Sequence, residues 1–213
     1  MKRMLLTVLG VAFVCMMATN AGAVMNNNGK YALHYAGPHN QKLNTCDFVL
    51  TNCGLDLVTS VAGAGRYDIY AIAVDVNGLT GARFGLHCEV LTGGLFLYGW
   101  TSCADLELPT PLWPGCGEGN AVTWATEQMG PHVTMGILDV LVYAGTNAKM
   151  CLGADPRVGF AEFCDGSEPY PLCNSTTNPA AFGCVGFGRL GYNPCDQVPV
   201  ENSSWGAIKA LYR

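Results

Sequence analysis

The chain has 213 residues, of which only 13% are charged, and a formal net charge of −5. No basic footprint exists for nucleic acid, which takes that class of partner out of consideration. Four tryptophans, 27 glycines and eleven cysteines point instead to a loop-rich globular protein made for an oxidising compartment.

The first residues carry a short basic start (Lys2, Arg3), an apolar run from Met4 to about Ala18 and an Ala21-Gly22-Ala23 ending. This is the pattern of a secretory signal peptide cleaved after Ala23, because a membrane span needs ~20 apolar residues. Val14 before Cys15 argues against a lipoprotein anchor at that cysteine. Residues 24–213 then hold nine basic and sixteen acidic side chains, a formal charge of −7, and no transmembrane segment is expected in them. They keep ten cysteines: Cys46, Cys53, Cys88, Cys103, Cys116, Cys151, Cys164, Cys173, Cys184 and Cys195. An even number in an exported chain reads as five disulfides, and the pairs closest in sequence, Cys46 with Cys53, Cys164 with Cys173 and Cys184 with Cys195, are the local expectation. Zinc modules space their ligands as C-x-x-C or C-x-x-H, and neither occurs.

Beyond Asn26-Asn27-Asn28-Gly29, strand-type runs follow at short spacing: 31–35, 47–50, 55–61 and 67–76. The segment 66–76, RYDIYAIAVDV, alternates at its start and then turns almost wholly apolar, as a central strand covered at its far end would. Asn77-Gly78 after it predicts a hairpin into 82–90. Further strands are expected at 95–100, 121–126 and 132–143. Between Ala104 and Asn120, Pro109, Pro111 and Pro114 with Gly115, Gly117 and Gly119 predict an irregular loop that a disulfide holds.

Many short strands with Gly and Pro turns give an all-β fold class, an antiparallel β-sandwich over residues 24–164. Residues 165–202 shift to Gly, Pro, Asn and Cys and form a loop-rich, disulfide-stapled C-terminal extension packed on the sandwich. The tail 203–213 places Trp205, Ile208 and Tyr212 on one helical stripe, suited to docking on its own domain or to contacting a partner.

The run 67–90 resembles the early strands of cohesin-like modules, β-sandwich domains of exported bacterial proteins. The features that carry the likeness are the strand Ile69 to Val76, the link Gly78-Leu79-Thr80-Gly81 and the strand start Ala82-Arg83-Phe84-Gly85-Leu86, with Gly136 to Tyr143 similar to a later strand of that pattern. The resemblance implies a non-catalytic sandwich.

No G-x-S-x-G elbow is present, and paired cysteines cannot serve as nucleophiles. His34, His87 and His132 lie in or beside strand runs and would make a metal site only if those strands converged. Asp155, Glu162, Asp165 and Glu168 cluster in sequence; a solvated acidic face is the simplest reading, and carboxylates paired for glycoside hydrolysis are another. Asp165 and Glu168 would also suit a structural calcium ion, the one cofactor the chain suggests. Trp113 stands between prolines, so with Tyr98 or Trp124 it could stack on sugar rings, or it could plug the sandwich edge beside Cys116.

The expectation is an exported, non-enzymatic protein for binding, adhesion or assembly, outside the cell, on its surface or in a periplasm. Its partners would be cell-surface components, glycan or other copies of itself. A carbohydrate-binding module and a secreted hydrolase are the alternatives.

Overall fold

The computed structural model describes residues 26–167 and 171–196. The expected leader, Glu168 and the tail residues Trp205, Ile208 and Tyr212 lie outside them.

Two sheets face each other. The first has four antiparallel strands in the order β1 (Lys30–Pro38), β3 (Gly65–Val74), β8 (His132–Val142), β5 (Leu95–Ser102). The second follows β11 (Cys173–Thr176), β10 (Ala161–Asp165), β4 (Leu79–Thr92), β9 (Asn147–Gly153), β12 (Cys184–Phe187) and β2 (Ser60–Val61), with β12 and β2 parallel. The other edge of β4 pairs with β7 (Glu118–Gln128), which carries β6 (Leu106–Glu107). Long β4 thus serves β10 with its first residues and β9 with its last. Tyr31, Ile69, Phe84, Leu138, Met150 and Phe163 fill the space between the sheets, as alternation along each strand requires. The Tyr31 ring stacks on Phe163 at 4.1 Å, and its hydroxyl donates to the Glu162 carbonyl at 2.7 Å, which ties β1 across to β10.

The expected hairpin at Asn77-Gly78 is a correction. β3 and β4 belong to different sheets, so this turn crosses the sandwich instead of pairing its flanks. Asp75 (φ 56°) and Gly78 (φ 63°) take left-handed backbone there, and Asn26 Oδ1 accepts from the Asn77 N–H at 2.6 Å. A local Asn-Gly signal marks a reversal but does not say which strand lies alongside.

Residues 47–50, expected as a strand, form none. They lie over the outer face of the first sheet, where Phe48 stacks on Tyr70 at 4.3 Å and Leu50 is buried beside Ile72 and Val74. Residues 55–61 begin inside a single helical turn, α1 (Cys53–Asp56), because Asn52 caps it by accepting from the N–H groups of Gly54 and Leu55. This cover buries β3 on both faces.

Five disulfides close the fold, and two of the three local pairings were wrong. Cys164 pairs with Cys173 as expected. Cys46 reaches Cys103, Cys53 reaches Cys195, Cys88 reaches Cys116, and Cys151 reaches Cys184. Sheet register decides the last of these, since Cys151 and Cys184 stand opposite one another on β9 and β12. Two bridges fasten the outer cover: Cys46 to the end of β5, and Cys53 to the C-terminal segment.

Candidate functional site

On the outer face of the first sheet, one row of the register runs Gly37, Asp68, Asp139, Gly99 across β1, β3, β8 and β5. Two carboxylates therefore face one another on the two central strands, an arrangement that is repulsive unless cationic or donor groups surround it. Those groups are present. His39 Nδ1 lies 2.7 Å from Asp68 Oδ1 and 3.5 Å from Asp139 Oδ1. Asp68 Oδ2 accepts from the Asn40 N–H at 2.8 Å and from Asn44 Nδ2 at 2.6 Å. Arg66 grips both oxygens of Asp139, donating from Nε at 2.7 Å and from Nη2, and this pairing raises the guanidinium pKa further above its ordinary value.

Asp68 is 2% exposed, so an acid inside the strand is fixed in place by three donors. The two glycines at the ends of the row leave it bare: a Cβ on Gly37 or Gly99 would meet nothing within 4 Å. Above it opens a cleft of about 560 Å³, walled by His39, Gln41, Asn44, Arg66, Tyr98 and Thr101 among others. Tyr98 is half exposed, packs edge-on against Phe96 at 4.8 Å between centroids, and carries the Arg66 guanidinium 5.0 Å from its ring centre.

The residues expected to bind sugar separate. Tyr98 borders the cleft, whereas Trp113 turns to the core side and packs edge-on against Phe84 at 5.7 Å and Trp100 at 5.3 Å. Trp124 is buried, with its indole N–H donating to the Cys103 carbonyl at 3.0 Å. Cys116 is bridged to Cys88 on β4, which holds the Trp113 loop against the sandwich.

The clustered acids separate too. Asp155 is buried and held by Arg157, with Nη2 to Oδ2 at 2.6 Å. Glu162 sits 3.7 Å from Arg83. Asp165 is buried, and its Oδ1 accepts from the N–H groups of Ser167 and Leu172 at 3.0 Å each, which orders the turn after β10. Its expected calcium partner, Glu168, is outside the described residues.

His34, His87 and His132 do not form a three-histidine site. His34 is stacked on Phe48 at 5.1 Å, and its Nδ1 accepts from the Val58 N–H. Burial lowers its pKa, with Asp56 opposing. His87 is on the second sheet, 3.0 Å from the Ala154 carbonyl. Burial also lowers the pKa of His132, against Asp75.

Among the described residues, two groups bring three potential metal-ligand atoms together. Glu162, Cys164 and Cys173 form one, but its sulfurs are joined as a disulfide. The other is His39, Asp68 and Asp139, with all three ligand atoms within 4.8 Å of one another. The sequence alone does not single it out. The available signal was a lone acid inside each of two apolar strands, in RYDIYAIAV and HVTMGILDVLV. No helix among the described residues is long and apolar enough to cross a membrane.

No family model and no curated protein matches this chain. Among solved structures, a cohesin module from the family 33 glycoside hydrolase of Clostridium perfringens ATCC13124 shows a weak, partial likeness: 11% identity over 61% of this chain and 90% of that one, with a TM-score of 0.40.

Proposed function

We propose that this chain is an exported, non-enzymatic binding protein that meets its partner with the open half of the first sheet's outer face. The observation that carries the reading is a division of that face. One half, around Tyr70, Ile72 and Val74, is roofed by Phe48, Leu50 and Leu57. Among the described residues the other half has no such roof, and there half-exposed Phe96 and Tyr98 stand on β5, which pairs among them with β8 alone, beside the Asp68/Asp139 cleft. An uncovered sheet edge with aromatic side chains beside it is a common docking surface, and aromatic rings next to fixed polar groups suit recognition. Five disulfides support work in an oxidising, extracytoplasmic setting.

A glycan is the partner class favoured by Tyr98 standing beside Gln41, Asn44, Asp139 and Arg66, since hydroxyl groups would find both donors and acceptors there. A protein partner at the β5 edge is the second reading. Labelled protein would be incubated with cell envelopes and with insoluble polysaccharides, as wild type and as Phe96→Ser/Tyr98→Ser. Retention of the wild type and release of the variant are expected, with polysaccharide retention marking glycan and envelope-protein retention marking protein. Equal retention of both proteins rules out this face. Turnover of a glycan or ester that depends on His39 and Asp68 would replace binding by hydrolysis.

A further inference from the structure

We infer that His39, Asp68 and Asp139 bind a single divalent transition-metal ion, of which Zn²⁺ is the type, on the outer face of the first sheet. The inference stands apart from partner binding, since it concerns only this chain's own donor atoms.

Geometry makes the first part of the case. Three atoms of the right kinds, an imidazole nitrogen and two carboxylate oxygens, come from a loop and two adjacent central strands and lie within 4.8 Å of one another. The separations from His39 Nδ1 are 2.7 Å to Asp68 and 3.5 Å to Asp139. Ligands at about 2.1 Å from one ion stand roughly 3.0–3.4 Å apart, so small shifts bring them onto a metal. The ion would lie between the imidazole and Asp68, whose Nδ1 and Oδ1 now meet at 2.7 Å.

The surroundings make the second part. Metal-binding carboxylates are held by outer donors that fix their direction. Asn40 N–H and Asn44 Nδ2 occupy Oδ2 of Asp68, so its Oδ1 turns to His39. Arg66 fixes Asp139 by both of its oxygens, so the Oδ1 that faces His39 also accepts from Arg66 Nε and would offer the ion its remaining lone pair. Two carboxylates against one guanidinium leave a negative balance for a cation. Gly37 and Gly99 leave the row unobstructed, and the cleft has space for water or a partner's donor to complete the coordination. A nitrogen ligand with only two carboxylates suits zinc and its neighbours better than calcium, which asks for six to eight oxygens.

Purified protein freed of metal with a chelator would be titrated with Zn²⁺ by calorimetry, alongside His39→Gln, Asn44→Ala and, as a control away from the cluster, His87→Gln. One equivalent should bind to the wild type and to His87→Gln. Asn44→Ala should weaken binding about tenfold, as loss of an outer donor does, and His39→Gln by more. If His39→Gln does not fold, the wild type decides by NMR, where Zn²⁺ must shift the His39 imidazole signals and leave those of His87 in place. Absence of saturable binding, binding unchanged in His39→Gln, or an unmoved His39 signal overturns the inference. Failure of the wild type to be retained on envelopes or polysaccharides, with its zinc binding intact, would count against the proposed function alone.

Discussion

Removing the bridge between Cys53 and Cys195 should cost more stability than removing any short one, and the size of the difference follows from the loops. These residues are 142 apart in sequence, whereas Cys164 and Cys173 are 9 apart. With the other bridges intact, the shortest covalent route from Cys53 to Cys195 passes through Cys46–Cys103 and Cys151–Cys184, which cuts the loop to roughly 70 residues. Chain entropy then gives about 4.4 kcal/mol for Cys53–Cys195 and about 2.7 kcal/mol for Cys164–Cys173. Alanine is the fitting replacement, because Cys53 is buried among Ile72, Leu50 and Val74 and a serine would add an unpaired hydroxyl there. For a domain of this size the double variant Cys53→Ala/Cys195→Ala should melt about 10–15 °C lower, and Cys164→Ala/Cys173→Ala about 5–10 °C lower. Thermal unfolding of both without reductant is the assay. Equal losses, or a larger loss at Cys164–Cys173, would refute the loop argument and place the stabilisation in native-state contacts.

Trp113→Ala should lower stability by about 2–3 kcal/mol through lost packing on Phe84 and Trp100, with glycan or envelope retention unchanged; denaturant unfolding read beside the retention assay checks both. His34 should make the protein acid-sensitive. Its pKa is lowered from 6.5 in the fold, so below that value the unfolded chain binds more protons and stability falls, by no more than about 1.4 kcal/mol per pH unit for one histidine. Urea midpoints measured between pH 7.5 and 5 should decline in the wild type and decline less in His34→Phe, with His132 supplying part of the remaining slope in the same direction.

The sandwich was legible because its central strands carry strong local signals. β3 and β8 read as long β-branched and aromatic runs, and they are the middle of the first sheet. β9, β10, β11 and β12 were missed, since NAKMCLG, AEFCD, CNST and CVGF hold too few apolar residues in alternation to stand out from loops. Pairing was the least legible level. Asn77-Gly78 announced a turn, but the flanking strands went to opposite sheets because both edges of β3 are taken, one by β1 and one by β8. Four of the five disulfides failed to show because each joins residues 28 or more apart in sequence that only the folded arrangement brings together.

The candidate site was hidden by that same long-range register, yet its position follows from a pattern within one strand. The outward-facing residues of β3 are Arg66, Asp68, Tyr70, Ile72 and Val74, polar at the start and apolar afterwards. The apolar ones must be kept from water, and residues 44–58 with their two bridges do this. Of the polar ones, Asp68 is buried under its own donors Asn40 and Asn44, whereas Arg66 and its partner Asp139 keep contact with water, which a roof would remove at a cost of several kcal/mol for each ion. The cover therefore ends where β3 changes character, and Asn44, at the start of the covering segment, donates to Asp68 at that boundary. The open cleft and the disulfide-fastened roof are thus two consequences of one strand's outward face.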